Sequence, residues 1–182
     1  MNPRLIFAIV GILALLAGTA LYLGTPRMAP GPVPVVSDAA PGTIVATRFS
    51  DRQGQSRTLG EFQGRIVVLN FWATWCAPCR EEMPGFSRLQ ERWKDRGVRF
   101  VGVSEEDRAK VDRFADGMQI GYPLWTGDAE VMGLSKRLGN RLGVLPHTVL
   151  LDGDGRVLES RIGIYPEKLL EERLAAIVGK SG

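Results

Sequence analysis

The chain holds two cysteines in 182 residues, and they stand three apart in Trp75-Cys76-Ala77-Pro78-Cys79. Where such a pair opens a helix, the first thiol meets unpaired backbone N–H groups and the positive end of the helix dipole, and both favour its thiolate. Cys76 is therefore the candidate nucleophile. Three helical residues rise about 4.5 Å, compatible with the Cα separation of about 4.4 to 6.8 Å that a disulfide needs, so Cys79 can close the bond. In a reducing cycle Cys76 attacks a substrate disulfide and Cys79 resolves the mixed disulfide. One turn further on, Glu82 shares the helix and could relay a thiol proton, although a helical carboxylate is more often simply solvated. Trp75 covers the thiol and offers partners an apolar contact. Two Cys and the single histidine, His147, cannot fill a tetrahedral zinc site without carboxylates or another chain, and Arg80 stands where haem attachment requires His. No cofactor is expected.

The elements around this pair follow from periodicity. Residues 65–72 form a continuous β-branched, apolar run, the pattern of a strand covered on both faces, leading straight into the cysteines. Residues 77–95 have helical spacing, with Pro84 expected to kink the helix and Gly97 to stop it. A buried strand is predicted over 98–104, helices over 107–118 and 128–138, and a hairpin of 148–151 with 157–162 about Asp152-Gly153-Asp154-Gly155. A terminal helix follows over 166–178. An opening hairpin pairs 44–49 with 55–58. The order β-β-β-α-β-α-α-β-β-α points to an α/β fold with a mixed central sheet flanked by helices.

Residues 5–23 carry no charge and as a helix would span roughly 28 Å, enough to cross a bilayer. Arg4 ahead of them favours an N-in orientation. Residues 1–24 thus read as a membrane anchor or a cleaved signal sequence, 25–42 as a Pro-rich, extended linker, and 43–182 as one folded domain. Both forms export the domain to an oxidising compartment, where a cysteine pair is either bonded or kept reduced by a dedicated electron supply. With 23 Lys+Arg against 20 Asp+Glu, net +3, the charge is too weak and dispersed for nucleic acid. The cluster Glu105-Glu106-Asp107-Arg108 reads as a solvated loop and helix start.

Residues Val68-Leu69-Asn70-Phe71-Trp72-Ala73-Thr74-Trp75-Cys76-Ala77-Pro78-Cys79 closely resemble the active-site strand and turn of the thioredoxin superfamily. Gly143-Val144-Leu145-Pro146-His147-Thr148-Val149-Leu150-Leu151-Asp152 resembles its cis-proline segment and following strand. With the N-terminal segment and Glu81-Glu82-Met83-Pro84, the chain is similar to the TlpA/ResA branch of membrane-anchored thiol-disulfide oxidoreductases, which serve cytochrome c maturation and related periplasmic reductions. The resemblance implies a thioredoxin-like fold, a cis Pro146 against the disulfide, Leu145 presenting backbone groups to substrate, and a functional acid at Glu82. Asn70 departs from the buried Asp of many thioredoxins. His147 would lie near the site. The resemblance further implies an inner-membrane protein with its domain in the periplasm, exported protein disulfides as substrates, and a membrane thiol transporter of the DsbD/CcdA kind as electron donor.

Direction of electron flow depends on thiolate stability. Ala77-Pro78 adds no positive charge, and Glu81 and Glu82 oppose the thiolate while Arg80 favours it, so a reductase is the leading expectation. A disulfide oxidase or isomerase shares every motif, and a non-enzymatic client- or copper-binding assembly factor is the reading from another class.

Overall fold

The structure is a computed structural model that describes residues 38–179, together with helical positions 7, 11, 12, 14 and 15. The expected anchor over 1–24 and the linker up to residue 37 otherwise lie outside the described residues. Among the described residues no helix is long and apolar enough to cross a membrane. Chain contacts separate Met1–Val33 from Pro34–Gly182, and the second unit carries the cysteines.

Its elements are α1 (Pro41–Ala46), β1 (Arg48–Ser50), β2 (Ser56–Thr58), β3 (Ile66–Phe71), α2 (Ala77–Trp93), β4 (Val98–Ser104), α3 (Arg108–Gly117), β5 (Leu124–Thr126), α4 (Ala129–Arg137), β6 (His147–Leu151), β7 (Val157–Ile162) and α5 (Glu167–Val178). Among the described residues the strands form one seven-stranded sheet in the order β2-β1-β5-β4-β3-β6-β7. β3 runs parallel to β4, and β4 to β5, while the pairings β1–β2, β1–β5, β3–β6 and β6–β7 are antiparallel. This is the mixed, helix-flanked sheet expected.

The pleat of β3 divides the interior into two cores. Val68 and Trp72 face α2, α3 and α5, packing with Met83, Phe86, Val111, Leu170 and Leu174. Val67, Leu69 and Phe71 face α1 and α4, packing with Ile44, Val131 and Leu134. Both faces of the strand are thus covered, which is why its sequence is apolar without alternation. α2 continues through Pro84, a 3-10 turn over Lys94–Arg96 extends it, and Gly97 at φ 78° ends it. That left-handed backbone is accessible to glycine without a Cβ clash.

Two departures from the sequence reading stand out. Residues 44–46 belong to a helix rather than to the first hairpin, because Pro41 at its first turn presets the helical φ and Ile44 is drawn into the α4-side core. β5 was not anticipated. Its three buried residues are too few to show a period, and they become a strand by fitting between β4 and β1. The two hairpin turns share one design. Asp51 Oδ1 accepts from the N–H groups of Gln53 and Gln55, and Asp152 Oδ1 from those of Asp154 and Arg156, at 2.8–2.9 Å in both. Asp152-Gly153-Asp154-Gly155 is accordingly a turn.

Candidate active site

β3 ends at Phe71, and the chain turns through residues 72–76 into α2. Cys76 N–H donates to Ala73 C=O at 3.1 Å, and Cys76 is the N-cap of the helix. The Cys76–Cys79 disulfide is closed, with Cα atoms 5.3 Å apart. Cys79 N–H donates to Cys76 Sγ at 3.3 Å, so a donor of the first helical turn is aimed at the Cys76 sulfur, where it would favour a thiolate. Cys76 keeps 4% exposure and Cys79 none, so an incoming sulfur meets Cys76 first. Glu106 clamps this turn, accepting from both the N–H and the Oγ1 of Thr74. It is not the free loop charge expected from the sequence. Because β3 and β4 are parallel neighbours, the loops after them emerge side by side.

The Leu145–Pro146 bond is cis. Phe71 pairs with His147 across β3 and β6, which sets Pro146 at the sheet end where the cysteine turn begins. Trp72 is buried in the core, whereas Trp75 is 72% exposed. Trp75 helps to line a groove of about 410 Å³ shared by Glu105, Lys110, Met132 and Leu145. Leu142 and Val144 are exposed apolar residues in the same loop as Leu145. A second hollow of about 380 Å³, lined by Arg52, Arg57 and Trp125, lies away from the sulfurs.

One turn below Cys79, Glu82 is buried, and its carboxylate accepts from two fixed donors. Asn70 Nδ2 reaches Oε1 at 2.9 Å, and Tyr165 N–H reaches Oε2 at 2.9 Å. Asn70 Nδ2 also donates to Thr148 Oγ1 at 3.0 Å, which joins β3, β6 and α2 in one buried polar knot. Burial pushes the Glu82 carboxyl up to about 7, against the opposing pull of the Tyr165 and Asn70 donors and the Arg161 charge. The buried Tyr122 phenol is raised by its burial first and by the Glu82 charge second. The sequence marked Asn70 only as a missing Asp; here it is a donor from β3 to the acid on α2. Tyr165 contributes a backbone group, which no side-chain motif announces.

His147 lies on the opposite face, stacked on Phe71 with ring centroids 5.3 Å apart. Burial pushes its imidazole down to about 4, so it is neutral at physiological pH. The structure thus gathers Cys76, Cys79, Trp75, Leu145 and Pro146 at one end of the sheet, with Glu82 directly below and His147 behind.

Residues 36–160 match the model of the AhpC/TSA family. The thiol-disulfide oxidoreductase ResA of Bacillus cereus is 30% identical over 176 residues, 96% of each chain. ResA of Geobacillus kaustophilus is 29% identical over 179 residues, 97% of each. Among solved structures, a thiol:disulfide interchange protein of the thioredoxin family from Chlorobium tepidum superposes with TM-score 0.65 at 22% identity, covering 84% of this chain and 99% of its own. A secreted disulfide oxidoreductase of Mycobacterium tuberculosis superposes with TM-score 0.60 at 21% identity, covering 72% and 96%. At that identity the structural likeness speaks for the thioredoxin-like fold.

Proposed function

The chain belongs to the AhpC/TSA family of the thioredoxin superfamily and is a ResA-type thiol-disulfide oxidoreductase, and from that premise we propose that it is a reductase of exported protein disulfides, anchored in the inner membrane with its domain in the periplasm. In the proposed cycle the Cys76 thiolate attacks one sulfur of a client disulfide. The client S–S bond breaks, a mixed disulfide forms, and the departing client thiolate takes a proton. Cys79 then gives its proton to the Glu82 carboxylate and attacks Cys76 Sγ, which expels the second client thiolate and closes Cys76–Cys79. Two electrons pass from the pair to the client. A membrane thiol transporter of the DsbD/CcdA kind resets the pair, and the Pro-rich segment holds the domain off the membrane.

Glu82 is the observation that carries this direction. A carboxyl near 7 beneath the sulfurs is matched to proton transfer at neutral pH, and once ionised it opposes a second negative charge on either thiol. A thiolate that is less stabilised makes the dithiol a better electron donor. Ala77-Pro78 supplies no compensating cation. Trp75 and the Leu145–Pro146 segment form the client side of the groove, and Leu145 offers its backbone to an extended client segment, as in cytochrome c maturation or related exported clients.

The reading is tested by mixing the reduced full-length protein with insulin and following both partners. Loss of insulin disulfides with matching closure of Cys76–Cys79, absent in Cys76→Ser and arrested as a mixed disulfide in Cys79→Ala, is the expected result. Closure of disulfides in a reduced client by the oxidised protein, with no reduction of insulin by the dithiol form, would overturn the reductase assignment.

A further inference from the structure

Behind the cis-proline, a line of buried hydrogen bonds runs from the sheet edge to the loop that borders the groove. His147 Nε2 contacts Ser160 Oγ at 2.7 Å, and His147 Nδ1 contacts Ser135 Oγ at 2.9 Å. Asn140 Nδ2 donates to the same Ser135 Oγ at 3.0 Å and to the C=O of Val144 at 2.8 Å. The N–H of Val144 returns to Asn140 Oδ1 at 3.0 Å. Ser135, Asn140 and His147 are each wholly buried. α4 supplies the serine, the α4–β6 loop the asparagine, and β6 the histidine.

The donor inventory fixes the Asn140 end of the line. Both hydrogens of the Asn140 amide are used, and Oδ1 is taken by Val144, so turning the amide over would set oxygen against the Val144 carbonyl. Ser135 Oγ already accepts from Asn140. Its own hydrogen is free to go to His147 Nδ1, leaving Nε2–H for Ser160. In this arrangement a neutral imidazole joins the two serines through one acceptor and one donor nitrogen, and its burial against Phe71 maintains the neutral form.

At its far end the line grips Val144 at both backbone groups and stops one residue short of Leu145. Among the described residues neither the N–H nor the C=O of Leu145 has a hydrogen-bond partner. Leu145 thus carries open backbone groups at a bend between a clamped Val144 and Pro146, whose C=O accepts from Gly163 N–H at 2.8 Å. A short strand of client could add to those groups, and its affinity would depend on how firmly Leu145 is held before it arrives.

We propose that His147 is a positioning residue for client binding, acting through Ser135 and Asn140 to hold Val144, and with it the open backbone of Leu145, in the client-binding geometry. The proposal rests on the assignment of this groove to client disulfides. It places His147 outside the proton chemistry, since its ring lies on the sheet face away from Glu82. It also separates the two faces of the imidazole, because only the Nδ1 side leads to the loop.

The test compares insulin, which presents backbone, with dithiobisnitrobenzoate, a small disulfide that presents none, using dithiothreitol as reductant and the full-length chain. His147→Phe keeps the stacking and loses both hydrogen bonds; it should raise KM for insulin about 10-fold with little change in kcat or in the rate on the small disulfide. His147→Asn, whose amide lies where Nδ1 lay, should restore KM, whereas His147→Gln, which reaches only toward Ser160, should behave as His147→Phe does. Ser135→Ala combined with His147→Phe should raise KM no further than either alone. An unchanged insulin KM in His147→Phe, equal rescue by Asn and Gln, or parallel losses on both substrates would overturn the positioning role. Retained activity of Cys76→Ser would instead overturn the redox assignment beneath it, so the two failures are distinguishable.

Discussion

Glu82 and His147 are both buried titratable groups set on opposite faces of the same sheet, and burial drives both toward their neutral forms. For the acid that means upward, to about 7, and for the base downward, to about 4. One outcome lies at working pH and the other well below it. Adjacent residues of β6 serve the two groups: Thr148 takes part in the Asn70–Glu82 knot, while His147 turns the other way to meet Ser135. The contrast teaches that equal burial does not mean equal chemistry. A group can carry protons only where desolvation leaves its pKa within reach of the medium, and elsewhere it serves as a fixed hydrogen-bonding part.

The largest expected effect is on stability against pH, measured by urea unfolding of the oxidised protein between pH 4 and 8. Glu82 has a folded pKa of about 7 above its ordinary 4.5, so the folded state binds more protons in that window and stability falls as pH rises through it. His147 has a folded pKa of about 4 below its ordinary 6.5, so the unfolded state binds more protons and stability is lost as pH falls. Each change amounts to something on the order of 3 kcal/mol, and between about 4.5 and 6.5 the two slopes oppose each other. Glu82→Gln should uncover the histidine slope, and His147→Asn the glutamate slope. A Glu82→Gln protein whose stability falls as pH rises would break the comparison.

Next in size, Glu82→Gln should slow resolution of the mixed disulfide about 100-fold near neutral pH and remove an ionisation near 7 from its rate profile, the expected loss for a general base. Quenched-flow trapping of the mixed disulfide reads this directly, and an unchanged profile would place proton transfer elsewhere. Asn70→Ala removes a donor that favours the charged form of Glu82 and should move the same ionisation upward by about one pH unit. Trp75→Ala should have the smallest effect. The side chain is exposed, so unfolding free energy should stay within about 0.5 kcal/mol while KM for insulin rises a few-fold.

Much of this site was legible in the sequence because its parts are local. Cys76, Cys79 and Glu82 lie on one helix, and spacing alone sets their order. β3 and β4 announced themselves as apolar runs because helices cover both their faces. Pro146 was recognisable from the residues around it. What escaped the sequence reading was long-range. Glu106 clamps Thr74 only because two parallel strands end together, the Tyr165 donor is a backbone group remote in sequence, and Ser135 and Asn140 are ordinary polar residues until β6 sets His147 against them. β5 likewise has no periodicity of its own; its neighbours make it a strand.

The central claim is that a buried acid beneath the sulfurs, with no cation between the cysteines to offset it, makes Cys76–Cys79 an electron donor. Equilibration of the pair with glutathione redox buffers at neutral pH tests it most directly. The account predicts a potential well on the reducing side of the glutathione-like poise of about −200 mV, becoming less reducing in Glu82→Gln. A pair near −120 mV, as oxidising as the strong periplasmic oxidants, would contradict it.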